Sequence, residues 1–476
     1  MSNLQNLPRL FTLANFDQAC KENFENSLLV SPLLGLWQSL REKLSQSKAL
    51  MQGKVGDLLQ SGSFALVVLL FTVLALPQFA SDKEGLALIS LASLMLFCLG
   101  RLLGGKTTRA VRASDMLVLG YFAANVVATF ASHYLPESVK GLSKVAIYIL
   151  SYFLFSASLQ TRKRLLTVLS ATLFTGLLVS LYGLYQYKIG VAPLATWEDP
   201  TVESSGTRIF STLGNPNLLA GYLIPLAPIA GGLGLAALAT TYKWKWLAAI
   251  ISFGVAALIA VATVLTGSRG GFLALGAMAA VIVLAAVAVL FTRKPKLVLP
   301  SLIGIALLVV GGGLAVHFLA PTLEQRVLSI FDGTKHSSNA YRMYVWIASY
   351  KMFLDNWWFG VGPGNTAFCL AYGLYMKSGF DALGTYCVPL EVGVECGIGG
   401  IFFFFAILAC ALAAGHMAFW RSTDKVGSAL ALGLATALVG LMVQGCVDTV
   451  FYRPQVHFIF WLIIAALIGL MDQKHD

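Results

Sequence analysis

Twelve stretches of about 20 mostly apolar residues, parted by short charged or turn-forming breaks, run through this 476-residue chain. A bilayer core is crossed by about 20 apolar residues in helical form, because a helix satisfies its own backbone hydrogen bonds where no water is present. The runs lie near 63–80, 85–101, 115–132, 142–160, 165–187, 217–240, 247–267, 271–291, 297–319, 388–418, 427–446 and 455–471. They predict an all-α polytopic integral membrane protein. The run at 388–418 is too long for one straight span, and Gly397 and Gly400 mark where it would tilt or re-enter.

Composition narrows the class further. Only 12% of residues are charged and 57% are hydrophobic, against about 25% charged in soluble proteins. That excludes an ordinary soluble enzyme, a disordered chain and a secreted disulfide scaffold. The net charge of +11 then reads as the Lys and Arg surplus of cytoplasmic loops, not as a nucleic-acid footprint. Seven cysteines without a CxxC pair or a Cys/His cluster point to no metal and no cofactor.

Basic residues fall in alternate loops. Arg101, Lys106, Arg109 and Arg112 form one group, Arg162, Lys163 and Arg164 the next, followed by Lys243 and Lys245, by Arg293, Lys294 and Lys296, and by Arg421 and Lys425. The intervening loops hold isolated lysines such as Lys83, Lys140 and Lys144. This asymmetry predicts both termini in the cytoplasm of an inner (plasma) membrane protein. The chain divides into a cytoplasmic segment 1–62, a bundle 63–319, an outer (periplasmic) loop domain 320–387 and C-terminal spans 388–476. Ser31 and Pro32 suit the start of a helix on which Leu33, Leu36, Trp37, Leu40 and Leu44 share a face, as in a helix lying on the membrane surface.

Three outer segments are too polar and patterned to be plain connectors. The first, 188–216, holds Trp197, Glu198, Asp199, Glu203 and Arg208 and leads into Gly214-Asn215-Pro216-Asn217. The second is the turn Ser268-Arg269-Gly270-Gly271, and the third is the long stretch 320–387. In the third, Val345, Trp346, Ala348, Met352 and Phe353 share a helical face behind Arg342, and the glycine run 360–364 then breaks the chain. Glycines of this kind either let backbone amides approach an anion or simply turn a loop.

An ionisable group at a membrane boundary is costly, which makes it a functional candidate. Guanidinium also grips phosphate in a two-pronged fork that lysine lacks. Arg208, Arg269 and Arg342, with Asn215, Asn217 and Ser268 beside them, are therefore candidates for binding a phosphate or carboxylate at the outer face. Glu391 and Glu395 are four apart and share a helical face; they read either as a paired acid/base or as partners of the arginines. Asp448 is placed to pair locally with Arg453, and Cys369 and Cys387 both fall on the outer side, where a disulfide is permitted.

The ordered set of Arg208 with Gly214-Asn215-Pro216-Asn217, Ser268-Arg269-Gly270-Gly271, Arg342 with Trp346, Gly360-Val361-Gly362-Pro363-Gly364-Asn365 and Glu395-Cys396-Gly397-Ile398-Gly399-Gly400 resembles the O-antigen ligase and polymerase superfamily over about 200–405. Arg326 to Phe331, Ser338-Asn339, Gly362 to Phe368, Val388 to Val392, Asp448 to Val450 and Tyr452-Arg453-Pro454 look like the cyanobacterial bicarbonate-transporter family called IctB, a subgroup of that superfamily. The resemblance implies a metal-independent membrane glycosyltransferase whose outer-face arginines hold a polyprenyl-diphosphate-linked glycan. It also implies a loop histidine as general base, nine positions before Glu395; that position is Tyr386 here. Tyrosine, with a pKa near 10, is a poor base at neutral pH, and His336 is the loop histidine that remains. Tyr386, Glu391 and Glu395 are the residues left to assist the acceptor. Two other functions stay open: transport of bicarbonate or another small anion, and a non-catalytic partner in a membrane assembly, with membrane lipids as neighbours in every case.

Overall fold

The computed structural model describes residues 54–80, 83–106, 109, 111–192, 194, 207–319, 321–330, 337–421 and 423–471, with Ser27 and seven positions between 31 and 40. Of the surface helix expected after Ser31, Leu36 and Leu40 are helical and exposed, while Leu33, Trp37 and Leu44 lie outside the described residues. Trp197, Glu198, Asp199, Glu203 and His336 lie outside them as well.

The regular elements among the described residues are all helical. Eleven helices are long and apolar enough to cross a membrane, and a shorter apolar one at Pro454–Gly469 makes a twelfth run. The first half of the bundle is α1 (Lys54–Val73), α2 (Lys83–Leu102), α3 (Ala113–Ala131), α4 (Leu135–Ser158) and α5 (Arg162–Ile189). The next crossing is broken into α6 (Pro216–Leu223) and α7 (Leu226–Ala239), because Pro225 brings no N–H to the junction. α8 (Lys245–Leu265), α9 (Arg269–Arg293) and α10 (Val298–Leu319) follow.

One expected span moves. The apolar run at 63–80 predicts the first crossing there, but α1 begins nine residues earlier and ends at Val73, short of Pro77. Its polar first half is accommodated by α2: Gln60 and Ser63 are buried, and the Ser63 and Ser93 hydroxyls lie 3.1 Å apart while Ser93 donates to the Ser63 carbonyl at 2.8 Å. Polar groups satisfied by a neighbouring helix cost little in an apolar setting.

The core sits around α16 (Pro454–Gly469), in which every residue but His457 is buried. A helix apolar on all sides belongs inside a bundle, and α16 is packed by α4, by α14 (Val388–Arg421) and by α15 (Lys425–Gly445). α10 is the opposite case, with none of its span buried within the protein.

Between α10 and α14 the chain forms α11 (Pro321–Leu328), α12 (Ser337–Asp355) and α13 (Asn365–Tyr372). The apolar face expected on α12 exists: Val345, Ala348 and Met352 are buried, with Phe368, Tyr372 and Val394 in the same cluster.

The long run at 388–418 is a helix broken at Gly397, with φ 64° and ψ −161°. The glycine loop after α12 repairs the break. Val361 N–H donates to the Val394 carbonyl at 2.8 Å, Gly362 N–H to the Glu395 carbonyl at 3.1 Å, and Ile398 N–H to the Trp357 carbonyl at 2.8 Å. Irregular backbone at membrane depth is tolerated only where protein satisfies it in this way. The glycine run is therefore a bracket, not an anion cradle. At Gly362, φ is 104° and a Cβ would collide with the Ser138 hydroxyl.

At the other end of the bundle the basic loops are tied together. Arg162 donates to Asp424 at 2.7 Å, and Asp424 also caps α15 by accepting from Val426 N–H at 3.0 Å and Gly427 N–H at 2.9 Å. Burial works against its charge, but Arg162 and the two amides hold the Asp424 carboxyl below the usual carboxylate range. A carboxyl depressed on folding adds stability that is full above its unfolded pKa of about 3.9 and is lost as pH falls through the folded value. Asp424→Ala is expected to lower stability by about 1–2 kcal/mol through the cap alone. Thermal unfolding of both proteins from neutral pH into acid checks this, since the gap should close in acid.

Candidate functional site

The candidate site is built on the N-terminus of α9. Ser268 caps that helix, its hydroxyl accepting from Gly271 N–H at 3.3 Å, and the Ser268 side chain is buried. Asn215 plays the same part at α6, accepting from Asn217 N–H at 2.8 Å and Leu218 N–H at 3.4 Å. These two candidates hold helix ends; their side chains reach the site through the backbone they fix.

Asn217 acts directly on an arginine. Arg208 donates through Nη2 to Asn217 Oδ1 at 3.1 Å and through Nε to the Thr266 carbonyl at 2.9 Å. Gln444 of α15 in turn donates to the Asn217 carbonyl at 3.0 Å. A further guanidinium stands beside Arg208 at Gly267. A Cβ at Gly267 would lie 3.3 Å from Arg208 Nε and 3.2 Å from Arg326 Nη1. Arg326 thus joins the group from α11.

Arg269 opens α9 and is steered by Ser329, just past α11, and Asn339, in the first turn of α12, donating through Nε to Ser329 Oγ at 2.8 Å and through Nη1 to Asn339 Oδ1 at 3.0 Å. Arg342, on α12, donates through Nη1 to Ser338 at 3.1 Å and pairs with Asp448 at 3.5 Å. Its Nε is out of water without a partner. Arg269 and Arg342 line one cavity of about 200 Å³ with Asn339, Met343, Trp346 and Val447.

Asp448 ties the arginines together. Its carboxylate faces Arg342 and also lies in the field of Arg208; burial outweighs both and raises its pKa above the usual carboxylate value. The local pairing with Arg453 expected from sequence is replaced by this pairing with Arg342, from a distant helix. The arrangement gathers four guanidinium groups from four separate segments around the positive end of α9, a setting in which an anion is favoured.

Tyr386 borders the same region. Its carbonyl accepts from Trp346 Nε1 at 3.3 Å, its ring lies 6.0 Å from the Arg342 guanidinium and Tyr341 packs edge-on against it at 5.7 Å. Its φ of 53° is uncommon for a residue with a side chain and marks a constrained position. Burial first, then Tyr341 and Asp448, push its phenol further above 10, with Arg342 offsetting only part. The position implied for a general base therefore holds a group even less able to accept a proton than free tyrosine.

Glu391 and Glu395 do share a face, but it is turned away from the arginines. Both line a second cavity, with Lys144 and His457. Glu395 Oε1 accepts from Gly364 N–H at 3.0 Å, and among the described residues neither glutamate forms an ion pair with an arginine. Rotation of α14 decides this, and spacing along the chain does not reveal it. Cys369 and Cys387 are free thiols, the former donating to the Ala382 carbonyl at 3.4 Å.

Residues 254–405 match the family model described as O-antigen ligase. The matched segment carries Arg269, Arg326, Arg342, Tyr386 and Glu395, while Arg208 and Asp448 fall outside it. No curated protein matches the chain. The chain is thus an integral membrane protein with an O-antigen-ligase-like region covering about a third of its length, and the arginine cavity is made largely by that region. Sequence reasoning singled out Arg208, Arg269 and Arg342; it gave Arg326 no role and paired Asp448 with the wrong arginine. Ser329 and Asn339 stood only within strings that carry the family resemblance; their contacts with Arg269 give them a physical role.

Proposed function

We propose that the arginine cavity binds the diphosphate of a polyprenyl-linked glycan at the outer face of the membrane and presents that glycan for transfer to an acceptor. The observation that carries this reading is the convergence of Arg208, Arg269, Arg326 and Arg342 around the start of α9. A diphosphate offers enough oxygens to engage several forks at once, whereas bicarbonate or another small anion is satisfied by one or two. In transfer, the sugar–phosphate bond breaks, the acceptor oxygen bonds to the sugar carbon, and the guanidinium groups stabilise the departing diphosphate without a metal.

The acceptor's proton must also be taken up. Tyr386 is badly suited to that, and Asp448 fits better. Its pairing with Arg342 is loose, and a diphosphate that draws Arg342 away leaves a buried carboxylate whose proton affinity rises. Tyr386 then serves as a wall and a hydrogen-bonding neighbour to the acceptor.

Deleting the gene is expected to change the lipopolysaccharide or glycoprotein ladder of the cell. A wild-type copy should restore the ladder and an Arg269→Ala copy should not. Unchanged ladders in the deletion strain would reject this reading. Uptake of labelled bicarbonate by purified protein in liposomes, abolished by Arg269→Ala, would put small-anion transport in its place.

A further inference from the structure

The second cavity lies on the other side of the α14 start from the arginines and holds about 160 Å³, room for roughly five waters or one small organic ligand. Its polar lining includes Glu391, Glu395, Lys144, Asn365 and His457, set among aromatic side chains that include Tyr148, Phe451 and Trp461. Three of the lining side chains have an atom sealed from solvent without a hydrogen-bond partner: Glu391 Oε2, His457 Nδ1 and Trp461 Nε1. Buried polar atoms are almost always paired, so three orphans on one cavity point to a site for a polar ligand.

The orientation of His457 is fixed. Its ring is stacked between Tyr148, at 4.0 Å and 28°, and Phe451, at 4.5 Å and 12°, which leaves only its edge for the cavity. It is also the one residue of α16 that is not buried in protein. With the proton on Nε2, Nδ1 is an acceptor, as is the carboxylate of Glu391. Trp461 Nε1 is a donor, so the cavity suits a ligand that both donates and accepts hydrogen bonds.

The distribution of charge narrows the ligand. Among the described residues no three His, Cys, Asp or Glu are gathered to hold a metal ion, so a metal is not the ligand the lining suits. Lys144 is exposed at the edge of α4 and acts on Glu395 through its charge. Lys140, one turn away on the same face and also exposed, extends the positive rim. An acidic, aromatic interior favours an ammonium group, and a lysine rim favours phosphate.

We propose that this cavity binds a protonated primary amine joined to a phosphate, the ammonium donating to Glu391 and the phosphate lying against Lys144. Such a group is carried by an aminoethyl-phosphate lipid headgroup or by free phosphoethanolamine. The site is separate from the arginine cavity and does not rest on the diphosphate reading.

The test uses the full-length protein in detergent micelles, titrated with phosphoethanolamine, phosphocholine and short-chain phosphatidylethanolamine and phosphatidylcholine. Binding is followed by native mass spectrometry and by the thermal midpoint. The primary-amine compounds are expected to bind at least tenfold more tightly than their choline counterparts, which lack N–H donors. Glu391→Gln should remove that preference and Arg269→Ala should keep it. Preference shown only by the lipid pair identifies a headgroup as the ligand; preference shown by the soluble pair identifies the free compound. Equal binding of amine and choline forms, or an unchanged preference in Glu391→Gln, would overturn the proposal. Should Glu391→Gln fail to give monodisperse protein, the exposed Lys144→Gln decides: a tenfold loss for both headgroup types is expected, and an unchanged affinity would overturn the phosphate assignment.

Discussion

Replacing Arg269 by alanine is expected to weaken binding of a polyprenyl diphosphate by about 100-fold, and replacing it by lysine by about tenfold. Hydrogen bonds to charged groups contribute about 1.5–3 kcal/mol each, and about 1.4 kcal/mol corresponds to a factor of ten. Lysine keeps the charge but loses the planar fork. It also cannot span Ser329 Oγ and Asn339 Oδ1, which hold the guanidinium at 2.8 and 3.0 Å. Titration of the purified variants with a polyprenyl diphosphate, and with the monophosphate as control, reads both effects. If lysine binds as well as arginine, the site needs only a point charge and the fork argument fails. If alanine binds equally well, the diphosphate lies elsewhere.

Gly397→Ala should be among the most damaging single-methyl changes at the described residues. The residue sits at φ 64° and ψ −161° inside α14, and its Cβ would collide with the Trp358 carbonyl. Strain in such a backbone region costs about 1–3 kcal/mol and overpacking about as much again. Together they remove a large share of an ordinary folding free energy of about 5–15 kcal/mol. Gly311→Ala is the internal control, since nothing lies within 4 Å of its would-be Cβ on α10 and alanine is the better helix former. Thermal unfolding in detergent should show a sharply lowered midpoint for the first and none for the second. Equal midpoints would mean that the loop at 357–364 does not brace the break in α14.

Hydropathy made the crossings legible because lipid leaves the backbone no alternative to helix. It misplaced the first one, since Gln60 and Ser63 look like surface residues until α2 is seen to cover them. The arginines at 208, 269 and 342 stood out as charges where charge is costly. Arg326 did not, because a basic residue in a polar loop is unremarkable until it is found beside Arg208 at Gly267. Asp448 was visible as a polar intrusion, but its partner lies on α12, and no spacing rule reaches that far. Glu391 and Glu395 line one cavity, but not the one lined by Arg269 and Arg342, because periodicity gives the face of a helix and not the direction in which it is turned.

None of the described residues in the α10 span is buried within the protein, so much of its surface is left to acyl chains. The depth and tilt of such a helix follow the thickness of the surrounding hydrocarbon. α11 starts at Pro321, just beyond Leu319 where α10 ends; it carries Arg326 and leads directly to Ser329. A thicker or thinner membrane therefore pulls on the strut that holds Arg269, which makes anion affinity a quantity to be measured across lipids of graded chain length.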